Sequence, residues 1–210
     1  MKKIIYALVL ISFLTATFLY IYLPDQKFAS HWNSKGEVDA YMSKFWALYL
    51  TPLMITGIAL LLKFLPKIDP LKKNIKKFKK DYDYFILAIT VFLFYIYILT
   101  VLWNINVKFS MTVSIVPGLA LLIIYTGFFL EKAKRNWFVG IRTPWTMSND
   151  EVWRRTHKVA GKLFVASGVI SLAGMVFEQY LLWVVLIPLI FSSIFVFIYS
   201  YYIWKNVKKK

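Results

Sequence analysis

The sequence predicts an all-α polytopic membrane protein with six transmembrane helices, both termini cytoplasmic, and a short interfacial helix before the fifth span. Three observations carry this expectation. Hydrophobic residues make up 60% of the 210, and the mean hydropathy of +0.61 lies far above that of a soluble domain. The apolar residues gather into uncharged runs, most of them near the roughly 20 residues that cross a hydrocarbon core. The formal net charge of +16 falls on one side of those runs. Cysteine is absent, which excludes disulfides, thiolate nucleophiles, thiolate zinc sites and iron–sulfur clusters. No cofactor is expected.

The first run, residues 4–23, has a basic Met-Lys-Lys start but no small-x-small cleavage site before Pro24, so it reads as an uncleaved span. The others are 45–62, 84–107, 109–130, 163–177 and 179–204. The fifth is short, but 159–162 can extend it because Lys162 can snorkel to the interface. The fifth and sixth meet at Glu178 and Gln179, which demands a tight helical hairpin. Pro52, Pro117 and Pro188 lie inside spans, where neighbours can satisfy freed carbonyls. The chain thus divides into 1–62 (two spans with an outer loop at 24–44), a basic loop at 63–83, two spans at 84–130, a polar loop and interfacial helix at 131–158, and two spans with a basic tail at 159–210.

Placing the amino terminus inside assigns 22 of the 26 cations to the cytoplasm and leaves Lys27, Lys35, Lys44 and Lys108 outside. With six acids inside and four outside, the cytoplasmic side carries +16 and the outer side zero. This is the positive-inside pattern of a cell-membrane protein. It makes the basic composition a topology signal and an attraction to anionic inner-leaflet lipid, worth about 1 kcal/mol per near-surface cation. Direct nucleic-acid binding is not expected, and the run at 72–80 reads as a juxtamembrane basic loop. Tyr20, Tyr22, Trp46, Tyr49 and Trp103 then form an outer aromatic belt, and Tyr82, Tyr84, Trp137 and Trp204 an inner one.

In the outer loop, Asn33 to Gly36 has turn composition. His31, Glu37 and Asp39 include metal-binding residue types, but their spacing matches no metal motif, and a folded turn with a solvated histidine is the better reading. Trp32 and Tyr41 are amphipathic contact residues for a recognition surface.

The polar loop around 136–158 contains Ser148-Asn149-Asp150-Glu151, which has the form of a capping box and predicts a helix from Asn149 into the fifth span. Asp150 with Arg154 and Glu151 with Arg155 are favourable i, i+4 pairs. Val152, Thr156, Val159 and Leu163 form one stripe of an interfacial helix, with Trp153 as a headgroup anchor. Gly140 and Pro144 bracket a turned segment holding Arg142. Stacked among Trp137, Phe138 and Trp145, that arginine could bind a phosphate, a headgroup or a partner carboxylate, or clamp the loop. His157, beside Lys158, reads as a surface residue, and no Gly-x-Ser-x-Gly elbow accompanies it. No span has a central ionisable group, which argues against an ion-coupled transporter. Ala160, Ser167, Ser171 and Gly174 make a small-residue face for close helix contact.

Asn136, Gly140, Arg142-Thr143, the run from Thr146 to Glu151, Trp153, Thr156, His157 and Ala160-Gly161 resemble the signature of the SdpI family almost position by position. Upstream, Leu23-Pro24, His31-Trp32-Asn33, Gly36-Glu37, Asp39, Tyr41 and Ser43-Lys44 resemble the domain that precedes this signature in family members. The resemblance implies a multi-pass immunity protein that protects the producing cell against a secreted antimicrobial toxin peptide. In some such systems the protein also recruits a winged-helix repressor to the membrane. It marks His31, Trp32, Asn33, Gly36, Glu37, Asp39 and Tyr41 as a candidate outer recognition surface. Asn136, Trp137, Gly140, Arg142, Thr143, Pro144, Trp153, Arg154 and His157 become a candidate inner docking surface. The alternatives are a small-solute or lipid-headgroup transporter or membrane enzyme of the envelope using Arg142 and His157, and a structural subunit of a larger complex.

Overall fold

The computed structural model describes residues 1–207; Lys208 to Lys210, counted above in the basic tail, lie outside the described residues. Helix α1 (Lys2–Tyr22) leads into an antiparallel pair, β1 (Lys27–Trp32) and β2 (Val38–Ser43), and then α2 (Lys44–Ile68). After these come α3 (Lys72–Lys77), α4 (Lys79–Asn104), α5 (Met111–Lys132), α6 (Pro144–Ser148), α7 (Asp150–Ala173), two 3₁₀ turns (Gly174–Val176 and Glu178–Tyr180) and α8 (Leu181–Val207). Six of these helical segments are long and apolar enough to cross a membrane. Their outward faces stay apolar, as on α8, where Ile187, Phe191, Ile194, Ile198 and Tyr202 are exposed. A soluble protein would not leave so continuous an apolar surface open.

The expectation of an all-α fold needs correction at the outer loop, where the chain forms a β-hairpin. Asn33 creates its turn: its side-chain oxygen accepts the N–H groups of Lys35 (2.9 Å) and Glu37 (3.0 Å), and Gly36 sits at φ +80°. The hairpin docks on the bundle through Asn104 at the end of α4. The Asn104 amide accepts from the Ala29 N–H (2.8 Å) and donates to the Ala29 carbonyl (3.0 Å), as a neighbouring strand would. Phe28 and Ala29 are buried beneath it. Lys44 donates to the Leu23 carbonyl and lies over Tyr20, tying the start of α2 to the end of α1.

The helices group by small residues. At Gly127 of α5 an added Cβ would stand 2.6 Å from the Gly161 carbonyl oxygen, and at Gly168 2.8 Å from the Ala120 oxygen, so α5 and α7 approach backbone to backbone. On the neighbouring face of α7, Ser167 meets Ser192 of α8 at 3.0 Å. The small-residue face expected from Ala160, Ser167, Ser171 and Gly174 therefore lies partly toward α8. The tighter contact, with α5, uses Gly161 and Gly168, one position further along. Helices α1, α2 and α4 pack together with the hairpin at one end, and α4 joins this group to α5.

Candidate functional site

The segment from Ala133 to His157 closes the end of the bundle opposite the hairpin, and its shape is set by side chains bonded to main-chain groups. Asn136 is fully buried. Its oxygen accepts the N–H groups of Phe138 (2.9 Å) and Val139 (2.8 Å), and its amide donates to the carbonyls of Lys134 (2.8 Å) and Val139 (2.9 Å). An asparagine amide has two donors and two acceptor lone pairs, so this one is fully used in winding 134–139 into a turn. Trp137, 52% exposed, is held by its backbone alone, its N–H donating to Asp69 at 2.9 Å.

Beyond that turn, Gly140 sits at φ +102°, and a Cβ there would fall 2.6 Å from His157 Nε2, so only glycine fits. The next residue, Ile141, donates its N–H to that same Nε2 at 2.9 Å. Nδ1 of His157 must then carry the proton, which it gives to the Trp153 carbonyl at 2.8 Å. The imidazole also lies flat on the Trp153 ring, with centroids 3.9 Å apart and planes at 16°. Trp153 in turn donates its indole N–H to the Ala133 carbonyl at 2.9 Å. His157 and Trp153 are 1% and 2% exposed, so neither the surface histidine nor the headgroup anchor expected from the sequence describes them. They are the post over which the loop folds. With both ring nitrogens bonded to backbone, His157 acts as a strut.

A capping box forms five residues upstream of the one expected, on α6 rather than α7. Thr143 caps α6: its Oγ1 accepts the Thr146 N–H (3.1 Å), Thr146 Oγ1 accepts the Thr143 N–H (2.9 Å), and Pro144 begins the helix. Ser148 bonds back to Trp145, and Asn149 caps α7, accepting the N–H groups of Glu151 (2.8 Å) and Val152 (3.2 Å). Thr143 also meets Ser200 of α8 at 3.0 Å. Glu151 pairs with both Arg154 and Arg155 at 2.6 Å, while Asp150 pairs with Arg135 at 2.7 Å rather than with Arg154. Arg142 donates to the Trp137 carbonyl instead of stacking on a ring, and Trp145 packs on Phe197 and Tyr201.

The nine candidate residues of this loop thus divide. Asn136, Thr143, Trp153 and His157 are buried and hold the fold, and Gly140 allows the chain to pass His157. Trp137, Arg142, Pro144 and Arg154 face outward. Beside them lies a cleft of about 300 Å³ bordered by Asn74, Lys77, Glu131, Arg135, Asp150 and Arg154. Sequence reading missed two residues that tie the segment after α2 to this loop. Asp69, 1% exposed, accepts the N–H groups of Leu71 (2.6 Å) and Trp137, and Asn74 donates to the Arg135 carbonyl at 2.9 Å. The signal for Asp69 was an acid before proline in a basic loop, a turn former in need of donors.

At the hairpin end, His31 and Asp39 pair at 2.5 Å on the surface, and Asn33 donates to Glu37 at 3.0 Å. Among the described residues no three His, Asp or Glu groups come together as a metal site. Tyr41 is exposed. Trp32 packs edge-on against Trp103 with centroids 5.4 Å apart, and its indole N–H is shielded from solvent, with no hydrogen-bond partner among the described residues. It borders a cleft of about 410 Å³ between hairpin and helices, whose wall includes His31, Trp46, Met42, Met54 and Met111.

Residues 132–200 match the SdpI/YfhL protein family, and residues 7–56 match a domain of unknown function, DUF1648. The Immunity protein SdpI of Bacillus subtilis (strain 168) is 26% identical over 213 residues, a match covering 99% of this chain and 98% of that protein. No solved structure matches. The chain is a multi-pass membrane protein similar to an SdpI-family protein along nearly its whole length. The match over residues 7–56 contains the hairpin, and the match over residues 132–200 contains the loop folded over His157.

Proposed function

We propose that this protein is a membrane immunity protein that protects its producing cell against a secreted antimicrobial peptide. The near full-length similarity to a Bacillus immunity protein carries this reading. The positive-inside charge distribution supports an orientation with both termini in the cytoplasm and the hairpin outside. In that orientation the cleft beside Trp32 faces the incoming toxin. Its methionines are adaptable apolar contacts, and Trp32 adds an aromatic wall.

On the cytoplasmic face, Trp137, Arg142, Pro144 and Arg154 present the surface that would dock a winged-helix repressor, next to the charged cleft at Arg135 and Asp150. No part of this reading requires a reaction, and His157 has no ring nitrogen to spare for one.

The test is protection. Expressed in a toxin-sensitive host, the wild-type chain should restore growth against the peptide toxin encoded beside it, and Trp32→Ala should lose that protection at equal membrane abundance. Unchanged killing of wild-type-expressing cells by every neighbouring toxin overturns the proposal. For the repressor limb, Trp137→Ala with Arg142→Ala should abolish co-purification of a soluble regulator while protection persists. If wild-type protein captures no such regulator, that limb is wrong.

A further inference from the structure

We infer that the end of the bundle bearing the amino terminus contains a binding site for one anionic phospholipid, separate from the loop at 133–157. The start of α1, the end of α2, α3 and the start of α4 enclose a cleft of about 500 Å³ bordered by Lys2, Lys63, Lys67, Lys72, Lys76 and Lys79. Among the described residues, two of these six ammonium groups have a hydrogen-bond or ion-pair partner. Lys79 pairs with Asp83 at 2.6 Å, and Lys63 donates to the Tyr6 hydroxyl at 2.6 Å. Lys2, Lys67, Lys72 and Lys76 have no ion-pair partner among the described residues. With Lys63 bonded only to a neutral hydroxyl, five unneutralised cations surround one concavity and repel one another, and an anion seated among them removes that cost.

The shape selects a lipid over a soluble anion. The floor of the cleft is apolar, made by the buried Ile75, Tyr82 and Ile86. A narrow groove between α1, α2 and α4 continues from it, sharing Lys2, Lys63, Asp83 and Ile86, and is walled by Ile5, Ala59 and Leu60. A cationic cup opening into an apolar groove on a membrane-spanning bundle fits a phosphate headgroup with an acyl chain behind it. The same arrangement gives α3, a short helix of mostly lysine, a reason to lie across the mouth: its Ile75 seals the floor while Lys72 and Lys76 reach the headgroup.

The experiment uses the full-length protein purified in neutral detergent and supplied with phosphatidylglycerol or phosphatidylcholine. Retained lipid is read by native mass spectrometry and stability by thermal scanning. Wild type should retain phosphatidylglycerol in preference to phosphatidylcholine and melt at higher temperature with it. The triple variant Lys67→Gln, Lys72→Gln, Lys76→Gln should retain it on the order of tenfold more weakly or worse. Lys132→Gln, Lys158→Gln, Lys162→Gln removes the same formal charge at the same end outside the cleft and should bind as wild type. Equal losses in the two triples would mean diffuse attraction and overturn the site. Equal retention of phosphatidylcholine, or displacement of the lipid by millimolar inorganic phosphate, overturns it as well. These lipid readouts are independent of toxin protection.

Discussion

The carboxylate of Asp69 accepts the backbone N–H of Trp137 at 2.9 Å, joining the link after α2 to a loop 68 residues further along the chain. Its other oxygen accepts the Leu71 N–H at 2.6 Å. Both oxygens are acceptors of main-chain donors, so Asp69→Asn puts an amide NH₂ against one of those N–H groups, and Asp69→Ala leaves both without a partner. Either change should cost about 1–3 kcal/mol, the penalty of a buried donor left unmet. A thermal scan in detergent together with limited proteolysis at 133–143 reads this out; a variant that melts like wild type and cleaves no faster refutes it.

Two glycines provide a paired comparison. Gly140 has φ +102° and would place a Cβ 2.6 Å from His157 Nε2, whereas Gly57, inside α2, has nothing within 4 Å. Gly140→Ala should destabilise by about 1–3 kcal/mol through backbone strain alone, before the clash is counted. Gly57→Ala should be neutral or stabilise by about 0.5–1 kcal/mol, as expected for a helix interior. Equal melting temperatures for the two variants would contradict the geometry.

Contact between α5 and α7 depends on the absence of side chains. A Cβ on Gly161 would stand 2.7 Å from the Gly127 carbonyl oxygen, which belongs to a helix backbone and cannot swing aside. Gly161→Ala should therefore lower stability by about 1–3 kcal/mol, and Gly161→Leu by more. Cysteine pairs placed across the two helices in a chain that lacks native cysteine would report whether cross-linking falls in step.

Asn104 should matter to the hairpin more than any residue within it. It supplies both an acceptor and a donor to Ala29, and its amide also donates to the Thr100 carbonyl at 2.9 Å. Asn104→Ala is expected to undock β1 and expose Lys27 and Lys35 to trypsin with the helices intact. By contrast, Asp39→Ala breaks only an exposed pair with His31 and should change stability by less than about 1 kcal/mol. If both variants resist trypsin equally, the docking role assigned to Asn104 is wrong.

The six long helices were legible because a hydrocarbon core imposes length and apolarity on any span, and both are properties of a single run of sequence. Helix ends were less so: α2 continues to Ile68 through Lys63 and Lys67, whose long side chains let the helix run on past its apolar stretch. The cap of α7 was placed one residue early, since Ser148 and Asn149 are equally good caps by type. Pro144, by starting α6, uses up Ser148 and leaves the role to Asn149. Trp153 and His157 were misread because the charges around them mark a surface helix. Nothing local reveals that 133–143 folds back over that face. The hairpin is similarly tertiary in origin, since β2 has little buried surface of its own and β1 is secured by an amide some 75 residues away.

Most of the bonds that shape the 133–157 loop end on main-chain atoms: Ala133, Lys134, Arg135, Val139 and Met147 carbonyls, and the N–H groups of Trp137, Phe138, Val139 and Ile141. Main-chain atoms are the same whatever residue is encoded. Mutations at the outward positions Trp137, Pro144 and Arg154 can therefore rewrite what this surface displays while the loop keeps its course. Lineages facing different partners are expected to diverge at those positions and to hold Asp69, Asn136, Trp153 and His157 fixed.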